Sequence, residues 1–316
     1  MTERTGTRQV EHQIKVLAPT DSVYELIADV TQWPRVFPPT LHVEHVQRGE
    51  SEERIRLWAS ANGAVKTWTS RRWLDAGARR VEFRQELSQP PVAAMGGMWL
   101  VEPLSATECV VRLLHDYRAV DDAPENLAWI DRAVDRNSNA ELSALKSTAE
   151  LGNDRNDLML AFDDTVQIAG SARDVYEFIY DAAKWEQRLP HVTRVSLEED
   201  VPNIQLLEMD TRTKGGLVHT TTSVRICFPD DKIVYKQTVL PELMTVHTGH
   251  WLLEENAEGV AATSRHTVVI KPSAVASVLG ADKTVADARN FVRTALSTNS
   301  LATLDHARSF AEQRGR

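Results

Sequence analysis

The chain has 316 residues, 42% of them hydrophobic and 26% charged, the balance of a globular protein with room for two domains. Its net charge of −9 argues against nonspecific nucleic-acid binding, though not against a local basic patch for an acidic protein partner. No apolar run approaches the roughly 18 residues of a membrane span. The charged start MTERTGTRQVEHQ lacks the apolar core of a secretory signal, and Cys109 and Cys227 make neither a disulfide framework nor a metal site, so a cytoplasmic protein is expected.

Residues 9–17 (QVEHQIKVL) alternate as a strand does. A short helix opens after Pro19, with Thr20 or Asp21 as N-cap and Val23, Leu26 and Ile27 as its apolar face. Prolines then break up QWPRVFPP (32–39). Strand-like runs follow at 41–48, 53–60, 64–74, 79–87, 97–103 and 108–119, and a long helix near 124–149 places Leu127, Ile130, Val134, Leu142 and Leu145 near one face. This order predicts an α+β domain, a curved antiparallel sheet around one long C-terminal helix, with a deep cavity between them.

The second half repeats the first at an offset near 152. APTDSVYELIADVTQW (18–33) aligns with AGSARDVYEFIYDAAKW (169–185), GAVKTWTSRR (63–72) with GGLVHTTTSVR (215–225), and MGGMWLVE (95–102) with HTGHWLLE (247–254). DRNSNAELSAL (135–145) matches STNSLATLDHA (297–307), on a second long helix near 282–311. Two tandem domains follow, 1–150 and 158–316, with ELGNDRND (150–157) between them.

Within KTWTSRRW (66–73), alternation puts Trp68, Ser70 and Arg72 on one face and Arg71 and Trp73 on the other. An arginine on a buried face needs an acidic or oxygen-rich partner, and a ligand with several carbonyls is one such partner. The repeat keeps Arg225 at this position but replaces Trp68 with Thr221 and Arg71 with Val224, which singles out Arg72. Trp33, Phe37, Trp68, Trp99 and Trp129 each suit core packing; together they suit the flat walls of a cavity. His115, with Asp116 beside it, is a candidate for proton transfer or a satisfied core histidine. Asn137 and Ser138 interrupt the apolar face of the long helix and can bind a ligand oxygen or bond the sheet. The second copy offers Trp185, Arg225, Trp251, His266 and Asn299 as a parallel pocket. His247 and His250 fall on opposite faces of a strand, so no metal is expected; nor does any glycine-rich phosphate loop or nucleophile motif call for a cofactor.

WPRVFPP (33–39), WTSRR (68–72), GMWLVEP (97–103), LLHDY (113–117) and DRNSNAEL (135–142), set in a duplicated layout, resemble the two-domain aromatase/cyclases of bacterial type II polyketide synthases, of the helix-grip, START-like superfamily. The resemblance implies an enzyme that closes and dehydrates the first ring of a poly-β-ketone held on an acyl carrier protein, working with the other synthase subunits. It implies that Arg72 is the pocket arginine, Trp33 and Trp68 pocket tryptophans, Asn137 the helix asparagine and His115 the dehydrating histidine. One position departs from the pattern: Thr40, and Val192 in the repeat, stand where a tyrosine is expected. The first copy is expected to be the reacting one, since the second lacks the Trp68 equivalent. The competing reading is a noncatalytic carrier of hydrophobic ligands, which needs a greasy cavity but no arginine against an aromatic wall.

Overall fold

A computed structural model describes residues 7–314 except 153, 213–215 and 217, so parts of MTERTGTRQVEHQ, ELGNDRND and GGLVHTTTSVR lie outside the described residues. Contacts divide the chain into two compact units after Gly152. The first comprises β1 (Arg8–Val16), α1 (Thr20–Ala28), α2 (Trp33–Val36), β2 (Thr40–Arg48), β3 (Glu52–Ala61), β4 (Ala64–Asp75), β5 (Arg80–Leu87), β6 (Val92–Ser105), β7 (Glu108–Ala119) and α3 (Pro124–Glu150). The second comprises α4 (Asp154–Leu158), β8 (Met159–Ile168), α5 (Ala172–Tyr180), α6 (Trp185–Arg188), β9 (Val192–Val201), β10 (Ile204–Arg212), β11 (Val218–Phe228), β12 (Lys232–Val239), β13 (Met244–Asn256), β14 (Gly259–Ile270), α7 (Val275–Leu279) and α8 (Val285–Arg314). Among the described residues no helix is long and apolar enough to cross a membrane.

Each unit is a seven-stranded antiparallel sheet with a long C-terminal helix. The first runs in the order β1-β7-β6-β5-β4-β3-β2, and the second repeats it as β8-β14-β13-β12-β11-β10-β9. The two end strands of the chain path, β1 and β7, pair with each other, and α3 packs against both. Pro124 starts α3, where a missing N–H costs nothing and the fixed φ already suits a helix. Gly152, at φ +51, ends it in the left-handed conformation that glycine takes without strain.

Two details differ from the expectation. The N-cap of α1 is Pro19, whose carbonyl accepts from the Val23 N–H at 3.2 Å. Thr20 lies inside the helix and buried, and Asp21 turns outward to Arg79 at 2.6 Å. Strand β6 begins five residues before the expected 97, running through Gly96 and Gly97. Gly97 lies opposite His115, and a side chain there would run into the Leu114 backbone and the Phe83 ring.

The core of the first unit falls into two parts. One gathers α1, α2 and the far half of α3 (Leu142, Leu145, Ala149) on the sheet. The other joins Ile130 and Val134, from the near half of α3, to Tyr117 and Ala119 of β7. The unit's cavity draws its walls from both.

Candidate active site

The site is set by a hairpin. Asn62 and Gly63, at φ 51° and 83°, form a two-residue turn of the kind that matches strand twist. The turn puts Ala61 opposite Ala64, and the register carried outward puts Glu53 opposite Arg72. Alternation along β4 sends Trp68, Ser70 and Arg72 to the cavity wall. Arg71 points the other way, to Glu52 at 3.0 Å and Glu86 at 3.2 Å, and Trp73 is 39% exposed.

Arg72 is 1% exposed. One guanidinium nitrogen, Nη1, donates to the Ala28 carbonyl at 3.1 Å and to Glu53 Oε1. The other, Nη2, donates to the Ile27 carbonyl at 2.7 Å. Trp33 donates its indole N–H to that same Ile27 carbonyl at 3.1 Å, and its ring lies 4.8 Å from the guanidinium carbon. Glu53 meets His45 with its second oxygen at 2.9 Å. Burial lowers the proton affinity of Arg72 and Glu53 opposes that shift; a guanidinium stays charged regardless. A guanidinium has five N–H donors, and these bonds use three of them. The Nε–H has no partner, and one N–H of Nη2 is left over. The arginine is thus anchored by a carboxylate from β3 and two carbonyls at the end of α1, with two donors to spare on a cavity wall.

The cavity measures about 160 Å³. Trp33, Phe37, Trp68, Trp99 and Trp129 all line it, with Phe37 stacked on Trp99 at 5.7 Å and edge-on to Trp33 at 5.4 Å. Asn137 lines it while donating to the Ser60 carbonyl at 3.0 Å, which ties α3 to β3, and Ser138 lies beside it, buried. Thr40 is a wall residue as well.

His115 lines the cavity with its ring edge-on to Phe83 at 5.5 Å. Burial, helped by nearby His12, pushes its pKa down to about 4, so the imidazole is neutral at pH 7; its Nδ1 is buried without a partner. Asp116 is a correction to the expected pair. Neighbours on a strand face opposite ways, and Asp116 leaves the cavity for a two-pronged ion pair with Arg84 on the far face of the sheet. It does not orient His115. The carboxyl group that does share the cavity is Glu141, and burial pushes its pKa up to about 8, so it is a neutral acid at pH 7. It is not among the residues expected at the site; its signal in the sequence is its place one turn beyond Asn137, on the same helix face. Glu53 is likewise outside the expected set, and its signal is the Asn-Gly turn, which fixes its register opposite Arg72.

The second unit holds the same frame with other contents. Arg225 is 2% exposed, donates to the Ile179 carbonyl at 2.6 Å and lies 5.2 Å from the Trp185 ring. Opposite it stands Gln205 where the first unit has Glu53. Trp185 and Trp251 are core residues. His266 Nδ1 meets Tyr235 at 2.9 Å and His247 at 3.0 Å, and its Nε2 meets Ser300 at 2.6 Å and Ser264 at 3.2 Å. Ser300, not the expected Asn299, reaches the histidine, because one residue along a helix turns the side chain by about 100°. Trp185, Arg225, Trp251 and His266 are therefore engaged with core and network neighbours.

Comparison with known proteins agrees with the doubled fold. The model of the family described as polyketide cyclase/dehydrase and lipid transport matches residues 16–141 and again 168–293. The granaticin polyketide synthase bifunctional cyclase/dehydratase of Streptomyces virginiae is 48% identical, over 94% of this chain and 97% of that one. The actinorhodin polyketide synthase bifunctional cyclase/dehydratase of Streptomyces coelicolor is 44% identical, over 98% of each. Among solved structures, the di-domain ARO/CYC BexL from the BE-7585A pathway superposes with a TM-score of 0.87 at 59% identity, covering 96% of this chain and 99% of that one. The di-domain ARO/CYC StfQ from the steffimycin pathway follows with a TM-score of 0.85 at 38% identity, covering 97% and 99%. Two matches to one family model in one chain, on a doubled sheet-and-helix fold, show that the chain belongs to the polyketide cyclase/dehydrase family, in its two-domain aromatase/cyclase form.

Proposed function

We propose that the N-terminal unit receives a poly-β-ketone tethered to an acyl carrier protein, closes its first ring by aldol addition and removes water from the product. The observation that carries this reading is Arg72, a buried, anchored arginine with two free donors on an aromatic cavity wall that also holds a neutral base and a neutral acid. A methylene between two carbonyls is already acidic, so a modest base suffices. Neutral His115 takes its proton, and the free donors of Arg72 stabilise the enolate oxygen. The aromatic walls hold the chain bent so that the enolate carbon reaches a ketone carbon, an orientation effect. A carbon–carbon bond forms, and the ketone oxygen becomes an alkoxide that takes the proton of Glu141. Loss of a second α-proton and of the hydroxyl as water then gives the double bond. The names of the relatives, bifunctional cyclase/dehydratase, support pairing the two steps in one protein.

A carrier of greasy ligands would need the walls but neither the spare arginine donors nor two titratable groups tuned in opposite directions. The test is reconstitution with the synthase and its carrier protein, with and without a ketoreductase, followed by product analysis. Arg72→Ala is expected to divert the chain to spontaneously folded products. Wild-type product at wild-type rate from that variant would remove the arginine from the mechanism. The two arms with and without ketoreductase identify which substrate is taken.

A further inference from the structure

We propose that a basic groove at the mouth of the N-terminal cavity, built on Lys66, Arg132 and Trp129, holds the phosphodiester of a phosphopantetheine arm and so docks the carrier protein; the proposal rests on the carrier-bound substrate reading above. A groove of about 470 Å³ lies against the inner cavity. Lys66, Pro90, Pro91 and Trp129 are walls of both, which makes the groove the antechamber of the reaction site.

Its cations lack the carboxylate partners that most cations of the unit have, Arg48 and Arg56 being the other exceptions among the described residues. On the sheet, Arg54, Arg84 and Arg112 each face a carboxylate within 2.9 Å. Arg132 is exposed and makes no ion pair or hydrogen bond among the described residues. The Lys66 ammonium donates to the Pro90 carbonyl at 3.1 Å and lies 5.8 Å from the Trp129 ring, without a carboxylate. One turn beyond Arg132 and outside the groove's lining, Arg136 donates to the neutral Asn62 side chain. Glu125 is the one carboxylate among the groove's walls, and Asn126 spends its amide on the Val120 carbonyl. Two cations against one carboxylate give the groove a local positive excess on a chain of net charge −9.

The inner cavity has no use for these cations. Its own arginine is matched by Glu53, and a polyketone chain carries no charge. The anion must ride outside the reacting segment, on the same molecule. A phosphodiester at the outer end of a thin, amide-bearing arm fits: the cations take the phosphate, and Trp129 with the two prolines makes an apolar sleeve for the arm.

The test uses the full-length protein and two substrates with the same polyketide chain. One is loaded on the phosphopantetheinylated carrier; the other is an N-acetylcysteamine thioester, which has the thioester but no phosphate. For Arg132→Glu, the ratio of kcat/KM on carrier to kcat/KM on thioester is expected to fall about ten-fold, the size of one charge-assisted contact. Lys66→Gln is expected to lower it further in combination, and added salt to lower it in the wild type more than in the variant. An unchanged ratio in Arg132→Glu overturns the proposal, as does an equal loss on both substrates. Weaker binding of the released carboxylic acid product with an unchanged ratio assigns the groove to a carboxylate and also overturns it. A wild type that shows no preference for the carrier overturns the carrier reading itself, and the proposal with it.

Discussion

Arg72 has a structural role and, on the proposed mechanism, a chemical one, and the two are separable by experiment. Truncating either member of the Arg72–Glu53 pair leaves a buried charge without its partner, a loss of about 3–5 kcal/mol. Replacing both together by apolar residues leaves none. In a double-mutant cycle, Arg72→Met and Glu53→Leu are each expected to lower the unfolding midpoint of the first unit, and the double variant to recover most of that loss. Turnover is expected to stay lost, by about 100-fold or more, wherever Arg72 is absent, because the spare donors go with it. A stable double variant with wild-type turnover would make the arginine purely structural. The paired titratable groups give a second expectation. With His115 at about 4 and Glu141 at about 8, the neutral-base, neutral-acid state spans that window, so kcat/KM should rise with pH through the first value and fall through the second. Glu141→Gln should lower the maximum and abolish the alkaline limb. The stability sign is the reverse of a usual carboxylate: Glu141 favours the fold fully below its unfolded value, and this contribution is lost as pH rises through about 8.

At the scale of the element, the β3–β4 hairpin decides whether there is a site at all. A one-residue slip would send Trp68, Ser70 and Arg72 to solvent and bring Arg71 and Trp73 inward. Gly63, at φ +83, holds the register, so Gly63→Val should cost about 1–3 kcal/mol through left-handed strain. Amide hydrogen exchange should rise first along β3 and β4, and unchanged protection there would show that the strands hold the register without the turn. The same element shows what could be read in advance. The facing of KTWTSRRW was legible because a period of two leaves only two choices and the repeat selects between them. The succession of strands along the chain and the long helices were legible from periodicity. Glu53 and Glu141 were not, since a carboxylate in a strand or helix resembles an ordinary wet residue until a partner strand or cavity wall is placed against it. Asp116 misled because adjacency in a strand means opposite faces.

The whole molecule is one scaffold used twice, with a cavity of aromatic walls in the first unit and a hydrogen-bonded histidine network in the second. Arg225 faces Gln205, and the nearby Glu199 keeps its bonds to Tyr180, Asn203 and Gln205 without it, so Arg225→Met should destabilise less than Arg72→Met and, if the first unit is the reacting one, leave the product unchanged. The network is expected to make the second unit the more sensitive to acid. Burial pushes His247 down to about 4 and His266 well below its ordinary value, the latter helped by the charges of His247 and His250, while Tyr235, Ser264 and Ser300 around them carry no charge. Lys236, on the adjoining strand β12, is pushed down to about 7 by the same cause. Groups whose folded pKa is depressed support the fold above the unfolded value and lose that support as pH falls through the folded one. Lys236 therefore withdraws its share between about 10.5 and 7, and the histidines withdraw theirs from about 6.5 down to 4 and below. In the first unit burial lowers His115 in the same way, and Glu141 moves the stability in the opposite direction over the same range. Carboxylates held low by their partners are common to both units, Glu11, Asp29, Glu86 and Glu150 in the first and Glu199, Asp210 and Asp287 in the second. On acidification from pH 8 to pH 4, hydrogen exchange corrected for its intrinsic pH dependence should therefore open β12–β14 before β5–β7. His247→Phe, which removes one buried titrating ring from the network, should move that opening to lower pH. If both units open together, or β5–β7 open first, the histidine network does not govern the acid limit of the second unit.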